Sequence, residues 1–136
     1  MADNRLIISA IMDALAEGDG RPFVQAMADD FTWIMEGTTP WSGRYEGKDV
    51  VRSKVLDPLF GQFATTYRNK ASKIIVEGDD VVVLCNGDVE TKAGKRYNNS
   101  YCYVIRMRDG QMVELREYFD TALVERALEP PREKVD

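Results

Sequence analysis

The fold of this chain is decided between Arg96 and Asp120, where the sequence reads RYNNSYCYVIRMRDGQMVELREYFD. In its middle stands Asp109-Gly110, and an Asp-Gly pair between alternating segments is the strongest short-range signal of a β-hairpin. On both sides, apolar residues recur at every second or fourth position, which is the period of a strand. They are Tyr97, Tyr101, Tyr103, Ile105, Val113, Leu115 and Phe119. The stretch therefore predicts two long antiparallel strands joined by a tight turn.

One acidic residue interrupts the apolar alternation of the second strand. Glu117 stands at the same parity as Leu115 and Phe119. A carboxylate at such a position loses hydration, which costs free energy unless the group is paired or protonated. We therefore predict that Glu117 carries chemistry. The alternative is a structural ion pair with an arginine, for example Arg44 or Arg68.

Composition excludes several classes of protein. A length of 136 residues fits one domain that can bury a core. The net charge is −5 without a basic cluster, which disfavours nucleic acid and anionic membranes as partners. Neither a leader pattern nor an apolar run of membrane-spanning length is present in the sequence. We therefore expect a cytoplasmic protein.

Histidine is absent from the sequence. Its absence excludes Ser-His-Asp and Cys-His nucleophile systems and every metal site that needs imidazole. The two cysteines, Cys85 and Cys102, are too few for a zinc cluster, and we expect two free buried thiols. We expect no cofactor and no metal, so any chemistry must rest on carboxylates, amides, tyrosines, lysines or arginines.

The remaining chain predicts helices first and strands afterwards. Helical spacing indicates a first helix from Leu6 to near Gly18, a short second helix after residue 20, a third over 48–59 and a closing helix from Thr121. Further strands are predicted at 31–35, 65–76 and 81–91. The intervening Gly/Pro loop carries Trp41 and Tyr45, which could line the mouth of a pocket. This order is typical of a single α+β domain with a strongly bent antiparallel sheet.

Three segments in this order resemble the nuclear transport factor 2-like, or SnoaL-like, superfamily. They are DDFTW at 29–33, SGRYEGK at 42–48 and REYFD at 116–120. The resemblance implies a cone-shaped, cystatin-like α+β fold in which a curved sheet wraps the N-terminal helices around an internal pocket. It also implies a homodimer through the outer face of the sheet. We predict one SnoaL-like domain over 1–136, with its core at about 6–128 and a mobile tail at 129–136.

The superfamily contains polyketide cyclases, ketosteroid isomerases, limonene epoxide hydrolases, dehydratases and binding domains that catalyse nothing. Fold alone does not choose among them. The positions of the isomerase base and tyrosine look like Met35 and Ile11 here, which does not support that mechanism. The segments IMDAL at 11–15 and REYFD at 116–120 resemble the corresponding stretches of the epoxide hydrolases more closely.

The epoxide hydrolase resemblance assigns roles to individual residues. Glu117 falls at the position of the acid that activates water, and Asp88 falls at the position of the proton donor. Asn86 stands where that enzyme has a bridging arginine, and Trp33 and Met35 stand where it has the tyrosine and asparagine that hold the water. Two acids are therefore present and three helper residues differ.

The hairpin before the central stretch decides whether Asp88 can join this site. If Ala93-Gly94 forms a two-residue turn, Asn86 faces Tyr101 and Asp88 faces Asn99 on one side of the sheet. The alternative is that Asp88 is simply exposed to solvent near the end of a hairpin and has no role in a site.

Glu117 reaches the same side only with an odd register at the Asp109-Gly110 turn. A three-residue loop with a glycine bulge provides such a register, and the apolar parity favours it. A strict two-residue turn would instead place Glu117 beside Cys102.

Two functions follow from these residues. The first is a cofactor-free isomerase, cyclase or hydrolase acting on a small lipophilic molecule, with Glu117 and Asp88 as acid and base. The second is a non-catalytic dimeric module that binds a hydrophobic ligand. The predicted substrate-binding residues are Met12, Leu15, Trp33, Met35, Asn86, Asn99, Tyr101 and Phe119.

Overall fold

The computed structural model describes residues 3–131 and confirms an α+β fold. The helices are α1 (Asn4–Ala16), α2 (Arg21–Gln25), α3 (Lys48–Val51), α4 (Asp57–Phe60) and α5 (Thr121–Ala127), and a π-helical turn (Arg52–Leu56) joins α3 to α4. The strands are β1 (Met27–Met35), β2 (Gly43–Glu46), β3 (Arg68–Glu77), β4 (Asp80–Asp88), β5 (Ser100–Arg108) and β6 (Gln111–Phe119). All predicted elements are therefore present, and the Gly/Pro loop ends in the short strand β2.

The strands form one curved, unclosed sheet in the order β2-β1-β6-β5-β4-β3. The prediction of a purely antiparallel sheet is wrong at one place, because β1 and β6 run parallel. These strands are far apart in sequence, so no hairpin constrains their relative direction. Their pairing brings Met35 beside Glu117 and joins β2 and β1 to the other four strands of the sheet.

One face of the sheet, here called the inner face, packs against the helices. Helix α1 lies across β3 and buries Ile8, Ile11 and Leu15, whereas Leu6 is exposed. The side chain of Asp3 caps α1 by accepting a hydrogen bond from the amide of Leu6 at 3.1 Å. The core therefore lies between the helices and the inner face.

The third predicted helix is a continuous helical segment with a π-helical turn in its middle. Pro58 follows this turn and has no amide hydrogen for the carbonyl one α-helical turn earlier. The turn places Leu56 on the buried side of the segment.

The register between β4 and β5 differs by one residue from the predicted register. The amide of Thr91 donates to the carbonyl of Lys95 at 2.8 Å, which encloses a loop of three residues that ends at Gly94 with a φ of 80°. Cys85 therefore pairs with Tyr101, where the two-residue turn would have placed Asn86. Because side chains alternate along a strand, this shift moves every predicted β4 side chain to the other face.

The register between β5 and β6 places Glu117 on the inner face, opposite Tyr103. The turn itself has two residues, and both Asp109 (φ 50°) and Gly110 (φ 80°) have the positive φ of a type I′ turn. The irregularity lies further along the ladder, where Val113 is the extra residue of a β-bulge. The predicted side is thus correct, but the bulge is in the strand and not in the loop.

Two further predictions concern the cysteines and the end of the chain. Both cysteines are free, as predicted, but only Cys85 is buried, since Cys102 is half-buried. The carbonyl of Glu129, the first residue of the predicted tail, accepts hydrogen bonds from Trp41 and Gln62. The predicted tail at 132–136 lies outside the described residues. Over residues 3–131, no helix is long and apolar enough to cross a membrane.

Candidate functional site

A cavity of about 550 Å³ lies between the helices and the inner face of the sheet. Its wall contains apolar side chains from α1, α2, the π-helical turn and α5, and aromatic side chains from the sheet. A volume of this size accommodates a small organic molecule. Six predicted site residues line it: Leu15, Trp33, Met35, Tyr101, Glu117 and Phe119.

Glu117 is the buried acid of this cavity, with only 6% of its surface exposed. Its Oε1 accepts a hydrogen bond of 3.0 Å from Nε1 of Trp33. Burial raises the pKa of Glu117 to about 8, and the hydrogen bond from Trp33 offsets only part of that effect. The carboxyl group is therefore mostly neutral at pH 7.

The ion pair considered for Glu117 does not form. Arg44 pairs with Glu46 at 2.7 Å, and Arg68 donates to the carbonyl of Ala16 at 3.4 Å. A paired carboxylate would have a lowered pKa, whereas that of Glu117 is raised.

Asp88 and Asn86 do not reach the cavity, and the prediction that they share it with Glu117 is wrong. Asp88 is exposed and lies in a separate surface groove with Arg68, Glu90 and other polar residues. Asn86 is exposed on the outer face, where its amide donates to the hydroxyl of Ser100 at 2.9 Å. The physical reason is the one-residue shift between β4 and β5.

Met12 and Asn99 are buried but do not line the cavity. Met12 lies on α1 and packs in the hydrophobic core of the domain. The amide of Asn99 donates to the hydroxyl of Tyr97 at 3.2 Å and to the carbonyl of Asp120 at 3.2 Å. Its Oδ1 accepts from the amide of Asp120 at 2.9 Å. Asn99 therefore fixes a tyrosine of the cavity and the start of α5.

Four tyrosines stand on the wall of the cavity, namely Tyr67, Tyr97, Tyr101 and Tyr103. Only Tyr101 was predicted as a binding residue. Burial raises the pKa of every one of these phenols, that of Tyr97 to about 12, so all are neutral hydrogen-bond donors near pH 7. The shared parity of Tyr97, Tyr101 and Tyr103 was the signal in the sequence that could have found two of the others.

Asn69 on β3 was missed entirely. Its side chain is 1% exposed, lines the cavity, and donates to the hydroxyls of Tyr67 at 3.1 Å and Tyr103 at 3.2 Å. Its position on the inner face depends on the pairing of β3 with β4, where Asn69 lies opposite Gly87. No local pattern in the sequence marks that pairing.

Gly87 makes room for two of the phenol rings. A Cβ atom at this position would lie 3.2 Å from the hydroxyl oxygen of Tyr67 and 3.3 Å from the ring of Tyr101. A glycine inside a strand often marks such a close approach.

The Gly/Pro loop contributes a buried residue to the wall of the cavity. Trp41 lines the cavity as predicted, and its Nε1 donates to the carbonyl of Glu129 at 3.0 Å. Tyr45 is not part of the wall; its hydroxyl donates to the carbonyl of Trp41 at 2.7 Å and so supports the loop.

The arrangement offers no evident metal site. Residues 3–131 contain no group of three or more cysteine, aspartate or glutamate side chains placed to hold a metal ion. The chemistry that the cavity can perform with its own groups is proton exchange at Glu117 and hydrogen bonding by phenols and amides.

The sequence model of the SnoaL-like domain matches residues 8–115 of the chain. The protein therefore belongs to the SnoaL-like domain family, as the three sequence segments indicated. No curated protein matches the sequence.

Solved structures with the same fold cover nearly the whole chain. An NTF2-like protein of unknown function from Burkholderia pseudomallei is 23% identical, with a TM-score of 0.77, over 93% of this chain and 97% of its own. A putative SnoaL-like polyketide cyclase from Jannaschia sp. CCS1 is 19% identical, with a TM-score of 0.74, over 91% and 90%. A putative isomerase from Bacillus subtilis is 22% identical, with a TM-score of 0.74, over 91% of each chain. At these identities the likeness establishes the fold alone.

Proposed function

We propose that this protein is a cofactor-independent enzyme that isomerises or cyclises a small lipophilic molecule by proton transfer through Glu117. The observation that carries the proposal is the buried carboxyl group with a pKa of about 8 inside a largely apolar cavity. A general acid or base works best when its pKa lies near the working pH. Solved structures of the same fold described as a polyketide cyclase and an isomerase agree with this reaction class.

The hydrogen bonds of Glu117 leave one oxygen free for a ligand. Oε1 accepts from Trp33, which fixes the plane of the carboxyl group. The other oxygen can take a proton from a bound molecule or return one to it. Such a group contributes about 10²–10⁴-fold to a rate. Trp33 therefore orients the group that exchanges the proton.

The geometry favours one proton-transfer group over a two-acid hydrolase. Among the described residues that line the cavity, the acidic ones are Glu117 and Asp57. Asp57 is exposed on α4, and Asp88 lies in the separate groove. Epoxide hydration by paired acids would need a second carboxyl group beside Glu117, whereas isomerisation or cyclisation can use the same group in both directions.

A non-catalytic binding module is the second candidate. The presence of one buried acid among mostly apolar wall residues favours it, since such a wall holds a hydrophobic ligand without requiring turnover. This candidate predicts that the bound ligand is recovered chemically unchanged.

The test combines a binding screen with proton exchange. Wild type is screened by thermal shift against terpenoid, steroid and aromatic polyketide-like ketones, because a ligand at 100 times its Kd stabilises a protein by about 2.7 kcal/mol. Each hit is then incubated in deuterated water and analysed by mass spectrometry. The enzyme proposal predicts an isomer, a cyclised product or incorporated deuterium with wild type, at a rate that rises with pH around a midpoint of about 8.

Three variants sharpen the result. Glu117→Gln keeps the shape and the acceptor for Trp33 and should lose activity about 10²–10⁴-fold while still binding the ligand. Glu114→Gln makes the same change on the other face of β6 and should leave the rate unchanged. Asp88→Asn should also leave it unchanged, because Asp88 lies outside the cavity. Hits recovered unaltered and unlabelled from wild type would favour the binding module.

A further inference from the structure

The acidic and basic side chains in the wall of the cavity differ in how they are paired. They belong to Arg21, Arg52, Asp57 and Glu117. Glu117 is buried and mostly neutral at pH 7, because burial raises its pKa to about 8. The guanidinium of Arg21 is held by Asp19, whose two carboxylate oxygens accept from Nε at 2.9 Å and from Nη2 at 3.0 Å. Among the described residues, Arg52 and Asp57 therefore carry the wall charges that form no ion pair.

Arg52 keeps the donors of its guanidinium group available for a ligand. Within the part of the chain that the structure describes, no ion pair joins its side chain to another residue. The side chain is exposed, and it contributes to the cavity wall. A guanidinium group presents five N–H donors in a rigid fork that matches the two oxygens of a carboxylate. Arg52 is therefore suited to bind an anionic group of a molecule that occupies the cavity.

The π-helical turn gives Arg52 this position. The amide of Asp57 donates to the carbonyl of Arg52, five residues earlier, whereas an α-helix makes this bond over four residues. The turn begins at Arg52, which is exposed, and ends at Leu56, which is 9% exposed, and both side chains line the cavity. Such turns inside helices frequently occur at functional sites. The turn therefore combines a charge at the exposed part of the wall with an apolar side chain at the buried part.

The same helical segment supplies an apolar surface for the rest of such a molecule. Leu56, Leu59 and Phe60 all line the cavity. The ring of Phe60 is 44% exposed and makes an edge contact with the ring of Tyr67, with the ring centres 5.6 Å apart. An exposed aromatic ring in a cavity wall is apolar surface that a ligand can remove from water. The wall therefore extends from an exposed region with one free guanidinium group to the buried carboxyl group of Glu117.

We propose that Arg52 binds the carboxylate of a lipophilic carboxylic acid whose apolar part lies in the cavity. The proposal rests on the proposed function and deepens it, since it names the substrate class for the cavity of Glu117. The carboxylate accepts two hydrogen bonds from the guanidinium group. This contact orients the molecule, because its charged end stays at the exposed part of the wall while its apolar end is directed to the buried part. Arg52 is thus a residue that determines specificity.

Asp57 is the charge in the same wall that opposes an anion. It is exposed on α4, and its carboxylate repels a carboxylate bound nearby. The wall nevertheless favours an anion over a cation, because it carries two guanidinium groups against one ionised carboxylate. Arg21 also keeps Nη1 available, since its bonds to Asp19 use Nε and Nη2. Removal of the charge of Asp57 should therefore strengthen anion binding, whereas removal of the charge of Arg52 should weaken it.

The test compares three probes that share a naphthalene ring and differ in charge. They are naphthoate, which is an anion, naphthamide, which is neutral, and naphthylmethylammonium, which is a cation. Calorimetric titration at neutral pH gives the Kd of each probe. Wild type should bind naphthoate about 5-fold more tightly than naphthamide, which is the upper end for an ion pair that stays partly exposed, and should bind the cation most weakly. The preference for naphthoate should decrease on addition of salt, because salt screens exposed charges.

Three variants change one charge at a time. Arg52→Gln should abolish the preference for naphthoate over naphthamide while changing the affinity for naphthamide little. Lys54→Gln is the matched control, because it removes one positive charge from the same π-helical turn at an exposed residue that does not line the cavity, and it should keep the preference. Asp57→Asn should increase the affinity for naphthoate about 2- to 5-fold, because it removes a like charge from the wall.

Four outcomes would overturn the proposal. They are a wild type that binds naphthamide or the cation at least as tightly as naphthoate, an unchanged preference for naphthoate in Arg52→Gln, an equal loss of that preference in Lys54→Gln, and no binding of naphthoate at millimolar concentration. The proposed function is decided separately by deuterium exchange. Loss of exchange in Glu117→Gln together with an unchanged naphthoate preference in Arg52→Gln would reject the carboxylate site while retaining the proposed function.

Discussion

At the residue scale, the pKa of Glu117 links the chemistry of the cavity to the stability of the chain. The folded chain holds this carboxyl at a pKa of about 8, compared with an ordinary value of 4.5. Between these values the unfolded chain has released the proton and the folded chain has kept it. The free energy of unfolding therefore falls as the pH rises through this window.

The first prediction concerns this pH dependence. Glu117→Gln removes the titrating group, so its stability should fall less steeply than that of wild type between pH 5 and pH 8. The difference in slope should approach about 1.4 kcal/mol for each pH unit. Urea unfolding at several pH values measures it. Parallel curves for the two proteins would show that Glu117 titrates normally, and Glu114→Gln should follow wild type.

The second prediction concerns the space at Gly87. Gly87→Ala places a Cβ atom 3.2 Å from the hydroxyl oxygen of Tyr67, so this ring must move by a few tenths of an ångström. Ligand affinity should fall with little change in stability, as measured by calorimetric titration and urea unfolding.

Gly94→Ala is the contrasting variant for that experiment. Gly94 has a positive φ of 80° and open space around it, so an alanine there should cost about 1 kcal/mol of stability and leave affinity unchanged. Equal ligand affinities in wild type and Gly87→Ala would contradict the role given to Gly87.

The sequence identified Glu117 because an acid at an apolar parity is visible without a structure. It could not identify Tyr67 or Asn69, because their place in the site depends on the pairing of β3 with β4. Asp88 illustrates the opposite error, in which the sequence assigned to the site a residue that the structure places outside it. Its chemical type was suitable, but a single residue of register moved it to the surface.

At the element scale, two hairpins show how turns decide which side chains meet. Ala93-Gly94 and Asp109-Gly110 both look like two-residue turns in the sequence. Only the second is one, since the first is part of a three-residue loop. The bulge at Val113 then restores Glu117 to the inner face. Neither the extra loop residue nor the bulge has a distinct local signature.

The third prediction concerns the cap of α5. The side chain of Asp120 accepts from the amide of Leu123 at 3.2 Å, and α5 places Val124 on the wall of the cavity. Asp120→Ala should lower the free energy of unfolding by about 1 kcal/mol, whereas Asp120→Asn should retain most of it, because asparagine is also a good cap. Urea unfolding distinguishes them, and equal losses would contradict a capping role.

At the scale of the whole molecule, the α+β class could be predicted from the sequence, because helical segments come first and segments with a period of two follow them. The parallel pairing of β1 with β6 did not follow, because these strands are separated by most of the chain. The outer face of the sheet is partly apolar. It exposes the large apolar side chains of Ile75, Leu84 and Tyr118.

The fourth prediction concerns this outer face, which we propose is covered by a second copy of the chain. Leu84→Lys should shift sedimentation from dimer to monomer, because a charged side chain is costly in an apolar interface. Leu6→Lys is the control, since Leu6 is 67% exposed on α1 and should leave the dimer intact. A monomeric wild type at the concentrations used would contradict the proposal.

The most direct test of the central claim is the pKa of Glu117 itself. Carbon-13 NMR of glutamate-labelled protein, with Glu117→Gln to assign the signal, follows this carboxyl group through a pH titration. A midpoint of about 8 is predicted, because the group is buried and accepts one hydrogen bond from Trp33. A midpoint near the ordinary 4.5 would mean that Glu117 is charged throughout the neutral range and would contradict its role as a proton-transfer group.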